Sequence, residues 1–263
     1  MATEVSRAVP RRPAEVVVKI AISLVGIFAV AWGGWSLPVF KAQASPQFVA
    51  AKILHGDSYK MPRLLITERQ AEAVATSYPF CNPAALHSLT TIRLGIFKNT
   101  IEGSDPTLLE SSSDALGDAA RQTLTCSPAD SFVWLTLFWI DAARHGLTAN
   151  NEKYLRMSFA SAPNEAWIAL WRSHLTFALF DWLPADLAHD SIDDFVHLLQ
   201  TRQVYWEMAK IFENTSSGSQ RRIAERLEET GPVSRQAFVN VLRQKGLTIT
   251  IPDAVTSEPR PWR

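Results

Sequence analysis

Glycine is scarce, at 11 residues in 263. Few places are therefore left where bare backbone can wrap a phosphate. No P-loop, G-x-G-x-x-G, G-x-S-x-G or H-E-x-x-H pattern occurs in the chain. Cysteine is scarcer still: Cys81 and Cys126 are the only two. They are too few for a thiolate zinc site and do not form a C-x-x-C redox pair. Net charge is missing as well. Lys plus Arg and Asp plus Glu number 26 each, so no basic field draws nucleic acid. Strand signals are almost absent; Leu247 to Pro252 alternates strictly but stands alone. No catalytic residue, metal or cofactor is expected from these features.

Charge is also missing locally, over Ile20 to Leu37 (IAISLVGIFAVAWGGWSL). Eighteen uncharged, mainly apolar residues reach the length of a transmembrane candidate. Arg7, Arg11, Arg12 and Lys19 precede the run. By the positive-inside rule the N-terminus stays cytoplasmic and the bulk of the chain is exported. Trp32 and Trp35 suit the far interface, and the stem of Lys19 can snorkel. A cleaved signal is the competing reading, because Ala42-Gln43-Ala44 has the A-x-A form of a cleavage site. The apolar run exceeds the usual signal core, which favours a retained anchor.

What the chain does have is tryptophan, concentrated between Cys126 and Leu183. Trp134, Trp139, Trp167, Trp171 and Trp182 are five of its nine, and five of its 13 phenylalanines lie there too. Two segments of this stretch match, Pro128-Ala-Asp-Ser-Phe-Val-Trp-Leu and Pro163-Asn-Glu-Ala-Trp-Ile-Ala-Leu, offset by 35 residues (163 − 128). That offset is near the period of about 34 of tetratricopeptide (TPR) helical hairpins. Proline suits the first helical position, and the acid two residues on suits the first turn. Pro184-Ala-Asp starts a further helix in the same way. Another helix is expected over roughly Asn150 to Ala160, after a turn marked by Gly146 and Asn150-Asn151. Trp134, Trp139, Trp167 and Trp171 fall on apolar stripes, which read as packed core or, alternatively, as an aromatic groove for sugar or peptide.

Helical patterns also cover Leu65 to Tyr78, Pro83 to Thr100, Asp105 to Thr125, Ala185 to Thr201, Val204 to Glu213, Gln220 to Glu229 and Val233 to Lys245. The fold class is therefore all-α: one N-terminal transmembrane helix and a TPR-like bundle of helical hairpins. The expected layout is a basic cytoplasmic segment at 1–19, the span at 20–40, a juxtamembrane linker at 41–64 containing a short helix from Pro46 to Leu54, the helical domain at 65–252 and a disordered tail at 253–263.

Cys81 and Cys126 both lie beyond the span, where an oxidising compartment favours a single disulfide over two buried thiols. His189, Asp193 and His197 share one helix face and read as a solvated face rather than a metal site. Asp130, Asp141 and Glu165 are the carboxylates a glycan-processing enzyme could pair. Asp130 and Glu165 read more simply as helix-start acids, and Asp141 as a partner of Arg144 or Arg172.

The runs Cys126-Ser-Pro-Ala-Asp to Phe138-Trp139, Leu155-Arg156-Met157-Ser158 and Pro163-Asn-Glu-Ala-Trp167-Ile-Ala-Leu170 resemble small single-pass proteins of bacterial capsule and exopolysaccharide gene clusters. The likeness covers about residues 126–252 together with the anchor layout. It implies an accessory role in polysaccharide assembly or export, at the outer face of the inner membrane, and supplies no active-site residue. The expected partners are inner-membrane or periplasmic envelope proteins and polysaccharide. A glycan-processing enzyme and a glycan-binding module remain the alternatives.

Overall fold

The computed structural model describes residues 13–77, 81–103 and 106–247. The isolated alternating segment (all but Leu247) and the C-terminal tail lie outside the described residues, as do residues 1–12 with their arginines. The described residues are helical throughout, with no strand. The helices are α1 (Pro13–Leu54), α2 (Met61–Thr76), α3 (Pro83–Gly103), α4 (Pro106–Cys126), α5 (Ser131–His145), α6 (Ala149–Ser161), α7 (Ala166–Ala178), α8 (Ala185–Gln200), α9 (Tyr205–Glu213), α10 (Ser217–Arg226) and α11 (Pro232–Gln244). Short 3-10 turns at Phe180–Trp182 and Leu227–Thr230 join α7 to α8 and α10 to α11. The chain forms two compact units, Met1–Gly95 and Ile96–Arg263.

In the first unit, α1 is a single helix of 42 residues, about 63 Å at 1.5 Å per residue. The short helix expected from Pro46 is therefore the end of α1, and residues 41–54 are helical rather than linker. Pro38 and Pro46 lie inside the helix. An internal proline removes one backbone hydrogen bond and usually breaks or kinks a helix. Here packing offsets that loss at Pro46: Gln43, Pro46, Val49, Ala50 and Ile53 form a buried stripe at three- and four-residue steps. α2 lies against this part of α1 and buries Leu64, Thr67, Ala71 and Val74. Gly95 of α3 lets Ile53 and Leu64 come close; a Cβ there would sit 3.1 Å from Ile53 Cδ1.

The second unit is built mainly from hairpins. α5 pairs with α6, and α7 with α8. The two matching segments begin α5 and α7 identically: Pro128 and Pro163 each lie in a turn two residues before an acidic N-cap, Asp130 or Glu165. The prolines thus precede the helices instead of occupying their first position. Asp130 accepts from the Val133 N–H at 3.2 Å, whereas Glu165 makes no side-chain cap. α6 opens on a capping box in which Thr148 and Asn151 satisfy each other's backbone N–H. Phe177, Phe195, Phe212 and Phe238 are all buried in one cluster. Their rings meet edge-on, Phe195 contacting Phe177 and Phe238, and Phe238 contacting Phe212. Leu135, Phe138, Leu155 and Leu187 form a second core cluster beneath α5 to α8.

Candidate functional site

The most polar buried site in the second unit surrounds Arg172 of α7, which is 0% exposed. A buried guanidinium is costly unless all its donors are used. Here they all are. Nε and Nη2 donate to the two carboxylate oxygens of Asp194 (α8) at 2.7 and 3.0 Å. Nη1 donates to the Ser158 carbonyl at 3.0 Å and to Ser131 Oγ at 3.3 Å. Nη2 also donates to the Ala162 carbonyl at 3.1 Å. Ser131 Oγ in turn donates to the Ser158 carbonyl at 2.8 Å, and the guanidinium lies 4.6 Å from the centroid of the Phe159 ring. One side chain therefore ties α5, the C-terminal end of α6, α7 and α8 together. Burial raises the Asp194 carboxyl above its ordinary range, while the two bonds from Arg172 pull it back. With all five guanidinium N–H groups donated inward, this cluster acts as a clamp between helices.

The other carboxylates singled out above are also placed. Asp130 caps α5. Asp141 pairs with His145 at 3.0 Å rather than with an arginine, and Arg144 instead reaches Asp114 of α4 at 2.7 Å. Asp130, the N-cap of α5, and Asp141 within that helix lie eleven residues apart, about 16 Å along its axis. That exceeds the separation of about 5–10 Å at which paired carboxylates cleave glycosides. His189, Asp193 and His197 form an exposed face of α8, as expected. Arg226 occupies it, donating to Asp193 at 2.7 Å and lying 3.3 Å from His189 Nδ1. A guanidinium there opposes a cation, and no group of three or more metal-ligating side chains occurs among the described residues.

The four candidate tryptophans all lie at least partly outside the packed interior. Trp134 donates from Nε1 to the Pro128 carbonyl at 2.7 Å and stacks on Tyr154 of α6. Trp139 meets Phe97 edge-on. Trp167 and Trp171 lie one turn apart on α7, and both contact Phe132. Trp167 keeps 44% of its surface exposed. The core aromatics of this unit are phenylalanines, and the indoles surround them. Trp182 and Trp206 are also exposed.

Both cysteines are disulfide-bonded and none is free. Only α1 among the described helices is long and apolar enough to cross a membrane, and its apolar window is wholly exposed. No family model, curated protein or solved structure matches the chain.

Proposed function

We propose that the protein is a membrane-anchored, non-catalytic accessory of a cell-envelope assembly, serving polysaccharide synthesis or export. α1 spans the inner membrane with its N-terminus cytoplasmic, and a TPR-like helical domain lies in the periplasm. One observation carries this reading: the two ends of α1 behave differently. From Val16 to Phe40 its large apolar side chains face outward, while beyond Lys41 a narrow stripe packs on α2. A surface that is apolar all round suits lipid, and a helix with a one-sided stripe suits a protein neighbour. The apolar part, 25 residues, is about 37 Å long at 1.5 Å per residue, enough for a hydrocarbon core of about 30 Å with some tilt. Ser36 returns its hydroxyl to the Trp32 carbonyl at 2.9 Å, so its hydrogen bond is made within the helix.

Continuity of α1 through Ala42-Gln43-Ala44 favours a retained anchor over a cleaved signal. The common starts of α5 and α7 favour stacked hairpins, which build surfaces for partner segments. Of the carboxylates a hydrolase could use, Asp130 serves as a cap, Asp141 pairs with His145 and Asp194 is held in the Arg172 clamp. In-cell crosslinking of the tagged full chain, followed by identification of the captured membrane proteins, tests the role. Recovery of envelope-assembly components supports it; recovery of only soluble cytosolic proteins contradicts it.

A further inference from the structure

The outward side of α7 carries the exposed Trp167 and His174 with the half-buried Trp171 between them. Trp167 and Trp171 stand i, i+4 on one face and are braced from beneath by Phe132, with Trp167 the more open of the two. Lys98 of α3 brings its ammonium to 5.3 Å from the centroid of the Trp171 ring. One turn further along, His174 lies within the fields of Lys98 and of Lys210 on α9, with Glu207 beside them. Among the described residues, neither Lys98 nor Lys210 forms an ion pair with a carboxylate. One ammonium group thus lies over the Trp171 ring, and the exposed His174, one turn on, shares its surroundings with a second ammonium and one acid. We propose that this face binds a carboxylate-bearing saccharide, with the Trp167 indole stacked on the C–H face of a sugar ring and Lys98 and Lys210 holding its carboxylates.

The chemistry favours a saccharide over an extended peptide. Among the described residues there is no strand edge for a peptide backbone to pair with. A sugar supplies an apolar face for the indole and hydroxyls for His174 and Glu207, the mixture of one aromatic platform and few polar groups that small-ligand sites use. Lys98 over the Trp171 ring, with Lys210 acting on the neighbouring His174, favours an anionic ring over a neutral one. This deepens the accessory role proposed above and rests on it for the side of the membrane where the ligand is met. Binding by purified protein is read independently of that location.

The test is calorimetric titration of the detergent-solubilised full chain with trigalacturonic acid, with maltotriose and triglutamate as the neutral and peptidic comparisons. Trigalacturonate is expected to bind roughly tenfold or more tighter than either comparison, and more weakly as salt is raised. Lys98→Gln with Lys210→Gln should weaken binding by about tenfold or more while leaving the helical circular dichroism and melting temperature intact. Trp167→Ala should weaken binding likewise while leaving the helical circular dichroism intact. No heat with trigalacturonate, equal affinity for triglutamate, or affinity unchanged in the lysine variants would overturn the proposal. A failure here alongside a periplasmic topology and captured envelope partners would leave the anchored accessory standing without a glycan site.

Discussion

Arg172 spends its five N–H donors on two side chains and two carbonyls of three other segments. Removing it strands Asp194 without a counter-charge in a nearly dry place. Arg172→Met should therefore cost about 3–5 kcal/mol in chemical denaturation. Arg172→Met with Asp194→Leu should cost clearly less than the single change, because no unpaired charge remains. Equal costs would show that the pair is not coupled. His174 supplies a second residue-scale test. Burial, and then Lys210, lower its pKa below 6.5. The folded state therefore binds fewer protons than the unfolded chain. This contribution to stability is full above pH 6.5 and is lost as pH falls through the lowered value. An NMR titration of His174 should give a midpoint below 6.5, and Lys210→Gln should raise it; a midpoint at or above 6.5 contradicts the desolvation of the ring, and one unmoved by Lys210→Gln contradicts the influence of that lysine. Trp167 alters a sequence expectation. As a core residue its truncation would cost about 3–5 kcal/mol, but with 44% of its surface exposed a smaller loss of about 1–2 kcal/mol is expected.

At the scale of elements, helix starts were legible where a short-range signal marks them. Asn82-Pro83 and Gly231-Pro232 mark the starts of α3 and α11, whereas Asn150-Asn151 read as a turn and instead lie in the first turn of α6, which Thr148 caps. Thr148→Ala should lower stability by about 1 kcal/mol in a thermal melt; no change would mean that the box is not formed. Prolines misled where tertiary packing overrides local preference. Pro46 reads as a helix start, yet α1 continues through it because the stripe from Gln43 to Ile53 is held against α2. Gln220 reads as the start of the next helix, but α10 begins three residues earlier with a first turn at Ser217, capped by Ser216. Asp181, which accepts from both Ser216 and Ser219 at 2.9 Å, holds that turn from 35 residues away. The Arg172–Asp194 clamp was illegible for a related reason: a pairing across 22 residues leaves no periodic trace. The tryptophan stripes were found, but periodicity alone could not assign the dry side of each helix to phenylalanine and the wetter side to indole.

For the molecule as a whole, composition was a sufficient guide to class. Few glycines, no sustained alternation and one uncharged run specify an all-helical chain with an N-terminal apolar helix. The disulfide belongs to this scale, since it closes about 45 residues between Cys81 and Cys126. Alkylation of unfolded, unreduced protein should add no mass, and Cys81→Ser should lower stability by about 3–4 kcal/mol on the chain-entropy model. Two alkylated thiols before reduction would contradict the bond. The central claim is that α1 places a helical body across a bilayer. It is tested most directly by fusing, after Arg263, a dual reporter active as alkaline phosphatase outside the cytoplasm and as a fluorescent protein within it. Phosphatase activity in a carbonate-resistant membrane fraction is the expected result; cytoplasmic fluorescence, or a soluble fusion, would contradict it.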